Sequence, residues 1–204
     1  MTTDDLFQGV RHSLIGTGRS RNFKTVFRHV LMLLAIFVLT GTAAAEEFIS
    51  REHGFKINFP KSPTVEISEK RIASGMIQIV RYKAKKKAFR TSLTVVTYSR
   101  DVLTGEEIKD ALARSRDRRV KNMRGELLSD TDIAIDGHPG KELVIGVGAF
   151  SVPRIYRYRM RNYYVGNRQY LMSIVGASNL VLSPISDNFF NSFALIDPAG
   201  VSSN

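Results

Sequence analysis

A run of ten apolar residues, Val30 to Leu39, sits between two very different flanks. Upstream, Arg11, Arg19, Arg21, Lys24 and Arg28 form a basic stretch. Downstream come Thr40-Gly41-Thr42, Ala43-Ala44-Ala45 and then Glu46-Glu47. A basic flank, an apolar core and a small-residue stop are the three parts of a secretory signal. The core is too short to span a bilayer, which takes about 20 residues. Residues 1–45 are therefore expected to be an address, cleaved after Ala45, with a single domain over 46–204. Export points to the periplasm; the alternative is a domain tethered to the membrane by an uncleaved segment.

Export leaves 159 residues to fold without disulfides, because the chain has no cysteine. A domain of that size buries about 70% of its unfolded surface, so core burial can hold it. The missing cysteine also excludes thiol catalysis, cysteine-based metal sites and a disulfide-linked partner.

The order of elements follows from periodicity and turn chemistry. Gly54 to Phe59 alternates apolar and polar and stops at Pro60, as a half-buried strand does. Thr64 to Ser68 reads as another short strand. Met76–Lys83 and Thr91–Tyr98 are rich in Val, Ile, Thr and Tyr and read as a hairpin with a basic tip, Ala84-Lys85-Lys86-Lys87-Ala88. Thr104 followed by Glu107 is a capping box and opens one long helix that ends near Gly125, with Ile108, Ala111, Leu112 and Met123 on one face. Strands follow over Glu126–Ile135, Lys141–Val147 and Arg154–Val165. Asp136-Gly137 turns between the first two, and Gly166-Asn167 leads into Gln169–Val175. Pro184–Phe193 reads as a short terminal helix, capped by Ser183, with Ile185, Phe189, Phe190 and Phe193 as its apolar stripe. Hairpins interrupted by helices give an α+β class: an antiparallel sheet with packed helices.

Several of these segments together resemble a known family. They are Gly54-Phe55-Lys56-Ile57-Asn58-Phe59-Pro60, Asp136-Gly137-His138-Pro139-Gly140-Lys141-Glu142, Tyr164 to Tyr170, and Phe189-Phe190-Asn191-Ser192-Phe193-Ala194-Leu195. The chain is similar in them to exported bacterial domains of the PsbP-like family, named for the extrinsic PsbP protein of photosystem II. The resemblance spans most of residues 48–196 and implies a PsbP-like α/β/α sandwich. It implies non-enzymatic accessory or binding work outside the cytoplasm. No photosystem-specific residue is matched, so no photosynthetic role is carried over.

Catalytic signals are thin. No G-x-S-x-G elbow is present. Gly146-Val147-Gly148-Ala149 lacks the Lys-Ser/Thr of a phosphate loop. His138 beside Asp136 is the place to look for an envelope hydrolase, the alternative reading; as the third residue of Asp136-Gly137-His138-Pro139 it is otherwise a turn residue. His53 is expected to be a mobile surface residue near the mature start. No cofactor and no metal is expected.

Charge is the informative feature. The full chain carries +11 and residues 46–204 carry +8. Three segments concentrate it: Arg81–Arg90 with +6, Arg114–Arg124 with +5, and Arg154–Arg168 with +5. These hold +16 between them, so the remainder is −8. Arg157, Arg159 and Arg161 are two apart and share one strand face, with Tyr156, Tyr158 and Met160 on the other. Either these arginines form a ladder that grips anions, or they pair with acids of the next strand such as Glu142. The tyrosines 156, 158, 163, 164 and 170 either line a ligand groove or pack in the core, and the core is expected first. The anion-binding candidates are Lys85, Lys86, Lys87, Arg157, Arg159 and Arg161. The expected partner is an envelope protein or an anionic polymer or membrane surface; export argues against nucleic acid. On this reading the protein is a non-catalytic binding or accessory module of the cell envelope.

Overall fold

The computed structural model describes residues 46–73, 75–99, 103–148 and 156–196. The expected signal, residues 1–45, and Arg154 lie outside them. All described residues belong to one unit, Ala44–Asn204. Its strands are β1 (Glu46–Ser50), β2 (Phe55–Phe59), β3 (Thr64–Ile72), β4 (Gly75–Lys85), β5 (Phe89–Tyr98), β6 (Glu126–Ile135), β7 (His138–Val147), β8 (Tyr156–Val165), β9 (Arg168–Ala177) and β10 (Ala194–Leu195). Its helices are α1 (Gly105–Met123), α2 (Ser178–Val181) and α3 (Pro184–Asn191).

Seven strands form one antiparallel sheet in the order β3-β4-β5-β9-β8-β7-β6, and β1-β2-β10 form a second, small one. The α+β class is as expected. The local signals explain most of it. Asp136 and Gly137 both take positive φ, 48° and 79°, the geometry of the tight turn whose twist suits a two-residue hairpin. Thr104 caps α1 through its side chain while Glu107 bonds back to the Thr104 amide, so the capping box is complete. The helix stops at Met123, and Arg124 itself takes the left-handed conformation at φ 47°. Gly125 is required for a different reason: a Cβ there would lie 2.6 Å from the Gly146 carbonyl oxygen.

The large sheet has two unlike faces. On one face the small sheet and α3 close over the main core. Phe55, Ile57 and Phe59 point inward from β2, with alternate residues partly exposed. They meet Val80 and Tyr82 of β4, Leu93 and Val95 of β5, and Tyr170, Met172 and Ile174 of β9. Phe189, Phe190 and Phe193 complete that core; Ile185, expected with them, is 52% exposed because it falls on the outer side of the short helix. Of the five tyrosines expected inside, 158, 163, 164 and 170 are buried and Tyr156 is exposed.

On the other face, α1 covers only part of the sheet. Leu143 and Ile145 of β7 and Tyr158 and Met160 of β8 pack against Val120 and Met123. Among the described residues, no helix lies over β4, β5 and β9 on this face. Both edge strands are exposed along most of their length.

His53 corrects an expectation. It is 5% exposed, with Nδ1 3.1 Å from Ser50 Oγ and 3.0 Å from the Tyr82 hydroxyl, and its carbonyl accepts from the Tyr170 hydroxyl at 2.7 Å. The turn between β1 and β2 folds it under the small sheet, which sequence position alone does not show. Burial disfavours the imidazolium and lowers its pKa below 6.5, against an opposing pull from Glu52. The unfolded chain therefore takes up this proton first. Stability contributed by neutral His53 is intact above pH 6.5 and is lost as pH falls below it. We expect urea unfolding to show stability falling from pH 7.5 to 5.5, with a shallower fall in His53→Gln. Identical slopes in the two proteins would contradict the assignment.

Candidate functional site

The uncovered half of the sheet forms the floor of an open groove of about 1290 Å³, with α1 as its side wall. Register fixes the order of side chains along the floor. At one end lie Ile77 opposite Tyr98 and Ile79 opposite Val96. In the middle, Arg81 faces Thr94 and Thr94 faces Leu171, then Lys83 faces Ser92 and Ser92 faces Ser173. At the other end, Lys85 faces Arg90 and Arg90 faces Val175. Along β4 the floor therefore passes from aliphatic Ile77 and Ile79, through Arg81 and Lys83 set among hydroxyls, to Lys85 and Arg90. Lys70 of β3, opposite Ile77, and Arg118 near Tyr98 also place cations beside the aliphatic end.

The wall adds charge. Arg114, Arg118 and Arg119 of α1 line the groove, and Arg119 sits over the Tyr158 ring at 5.3 Å. Nine described residues of the lining are Lys or Arg and none is Asp or Glu. Some of that charge is answered at the rim. Glu66 pairs with Lys83 at 2.7 Å and Arg81 at 3.6 Å, and Asp110 reaches Arg114 at 4.0 Å. The Lys83 hydrogen bond holds the Glu66 carboxyl below its ordinary range. Among the described residues, no carboxylate lies within ion-pair distance of Lys85, Arg90, Arg118 or Arg119.

A chain of amides and hydroxyls fixes the wall to the floor. Tyr98 donates to Gln169 Oε1 at 2.9 Å, Gln169 Nε2 to Asn162 Oδ1 at 3.0 Å, and Asn162 Nδ2 to Ser115 of α1 at 3.3 Å. Asn162 is 1% exposed, so leaving its amide unpaired would be costly. From the next residue of α1, Arg116 binds Asp130 at 2.9 Å, and Asp130 also takes Lys141 at 2.9 Å.

The predicted basic residues divide. The Arg81–Arg90 and Arg114–Arg124 segments meet across the groove. Lys85 is at its cationic end, while Lys86 and Lys87 extend to a second, more open hollow beside Tyr156. Arg157, Arg159 and Arg161 are on the opposite face of the sheet, so they cannot join this site. Arg159 binds both Glu142 oxygens and Asp187 at 2.6 Å; Arg161 binds Glu142 at 2.5 Å and Asn191 at 3.0 Å. Both lie over the Phe190 ring. They occupy the paired arrangement, not an open ladder. Arg157 donates to Ser178 at 3.2 Å.

No enzyme constellation emerges at His138, the first residue of β7, whose side chain makes no hydrogen bond with a described residue. Ser50 and His53 are in contact but both are buried and outside the groove. Sequence reasoning placed Arg90 and Arg118 in the basic segments without naming them among the anion-binding candidates, and it missed the aliphatic end of the groove. The signal for that end was present: Ile77 and Ile79 share the parity of Arg81 and Lys83, while Val80 and Tyr82 of the same strand already supply the core. Among the described residues, no helix is long and apolar enough to cross a membrane, and no three His, Asp or Glu side chains are grouped to hold a metal ion.

These features define an α+β protein with a PsbP-like fold. Cyanobacterial PsbP (CyanoP) from Synechocystis sp. PCC 6803 is similar with a TM-score of 0.50, over 77% of this chain and 95% of that one, at 12% identity. Identity that low speaks for the fold alone. A Pseudomonas aeruginosa protein of unknown function, PA94, is similar with a TM-score of 0.40 over 62% of this chain and 92% of its own, at 16% identity. No protein-family model matches the chain, and no curated protein matches its sequence.

Proposed function

We propose that this chain is an exported, non-catalytic binding or accessory protein of the cell envelope, and that it engages an anionic partner through the groove between α1 and the β4-β5-β9 floor. The observation that carries this reading is the lining: nine cations, no described acid, and six of those cations with no carboxylate within ion-pair distance among the described residues. Charge placed in a concave site focuses the field and raises the local concentration of anions. Export rests on the signal-like segment 1–45.

Lys85 and Arg90 carry the test. Replacing both by Glu changes the local charge by four units at the rim, where each basic residue near an anionic surface is worth about 1 kcal/mol. We expect the double variant to bind polyglutamate at least tenfold more weakly, and binding by the parent chain to fall steeply between 50 and 300 mM salt. Binding indifferent to both salt and the substitutions would remove the electrostatic basis of this reading.

A further inference from the structure

We infer that the groove takes a linear amphiphile: one aliphatic chain ending in a phosphate or carboxylate headgroup. The inference rests on the proposed anionic partner and names its chemical class. Its basis is the polarity gradient, which charge alone does not explain. A site built only for anions has no use for half-buried Ile77, Ile79 and Tyr98 at one end, open to solvent within the groove.

The dimensions agree. Ile77 and Lys85 are eight residues apart on β4, a rise of about 27 Å at about 3.4 Å per residue. From Ile77 to Arg81 is about 14 Å. A lipid tail fills half of a bilayer core about 30 Å thick, roughly 15 Å. A tail of about 15 Å laid over Ile77, Ile79 and Val96 therefore ends level with Arg81 and brings its headgroup to Arg81 and Lys83, with Lys85 and Arg90 next along the groove. Ser92 and Ser173, whose hydroxyls lie 2.8 Å apart between the two ends, suit the linkage region. An acidic peptide fits less well. Its backbone would lie against aliphatic side chains that offer no hydrogen bonds, which is costly.

The probes are dodecyl phosphate, dodecyl maltoside and inorganic phosphate, each titrated below micellar concentration into the full chain by calorimetry. Variants altered only in the groove control for binding elsewhere. We expect dodecyl phosphate to bind one to one, at least tenfold more tightly than either other probe. Lys85→Glu with Arg90→Glu should weaken it at least tenfold. Ile79→Asn should weaken it about fivefold while leaving inorganic phosphate unchanged. Dodecyl phosphate no tighter than inorganic phosphate would overturn the chain-binding inference and leave the anionic groove standing. Dodecyl maltoside as tight as dodecyl phosphate would overturn the headgroup part. If neither phosphate probe nor polyglutamate bound, the inference and the proposed function would fall together.

Discussion

Phe55→Ala is expected to cost about 3–5 kcal/mol of unfolding free energy. Phe55 has no exposed surface and contacts the rings of Phe48, Tyr82, Tyr170 and Phe193. It also sits on the central strand of the small sheet, opposite Ser50 of β1 and Leu195 of β10. Its neighbours come from β1, β4, β9 and the segment after α3, so the cavity cannot close by shifting one element. Domains of this kind are stable by about 5–15 kcal/mol in total, so the loss is a large fraction. With a urea m-value of about 2 kcal/mol/M, the midpoint should drop by about 2 M. A drop under 0.5 M would mean that the small sheet is not part of the cooperative core.

Glu142→Ala should cost about 2–3 kcal/mol. One carboxylate, 19% exposed, holds two guanidinium groups that are 11% and 19% exposed. Removing it leaves two largely buried cations side by side, the expensive way to break such a group. Asp187 still answers Arg159, which keeps the cost below that of a fully buried pair. Replacing Glu142 by Leu together with Arg161 by Met should recover part of the loss, since apolar groups of similar size tolerate burial. Chemical denaturation of the three proteins checks this. A Glu142→Ala protein as stable as its parent would show that the arginines need no partner, and would return Arg159 and Arg161 to the anion-binding candidates.

Local chemistry explains which parts of the fold were legible in the sequence. Asp136-Gly137, Thr104 with Glu107, and the alternation in Phe55–Phe59 each act within a few residues, so a linear reading finds them. The small sheet is different. β10 is two residues long, and its pairing with β2 joins positions about 140 residues apart, for which no short pattern exists. His53 was misplaced for the same reason: its burial depends on β1 folding back over β4. Ile185 follows the helical stripe, yet α3 is too short for a second layer to cover it.

The site was legible in charge and not in position. The Arg81–Arg90 and Arg114–Arg124 segments were visible as clusters, and folding brings them to one groove. The Arg157–Arg161 ladder was visible too, with both its open and paired forms. Only the sheet order, which sets α3 and Glu142 against that strand face, decides between them. The aliphatic end of the groove was hidden because β4 is apolar on both faces for part of its length. Which face α1 would leave uncovered is a property of packing.

The most direct test of the central claim is a map of where an anion touches the protein. Backbone amide shifts, followed by NMR during titration with dodecyl phosphate, report each strand separately. The groove predicts changes at Ile79–Lys85 of β4, Arg90–Val96 of β5 and Arg114–Asn122 of α1, with β2 and α3 unmoved. Changes centred on Arg159, Arg161 and α3, or spread evenly over the surface, would contradict it.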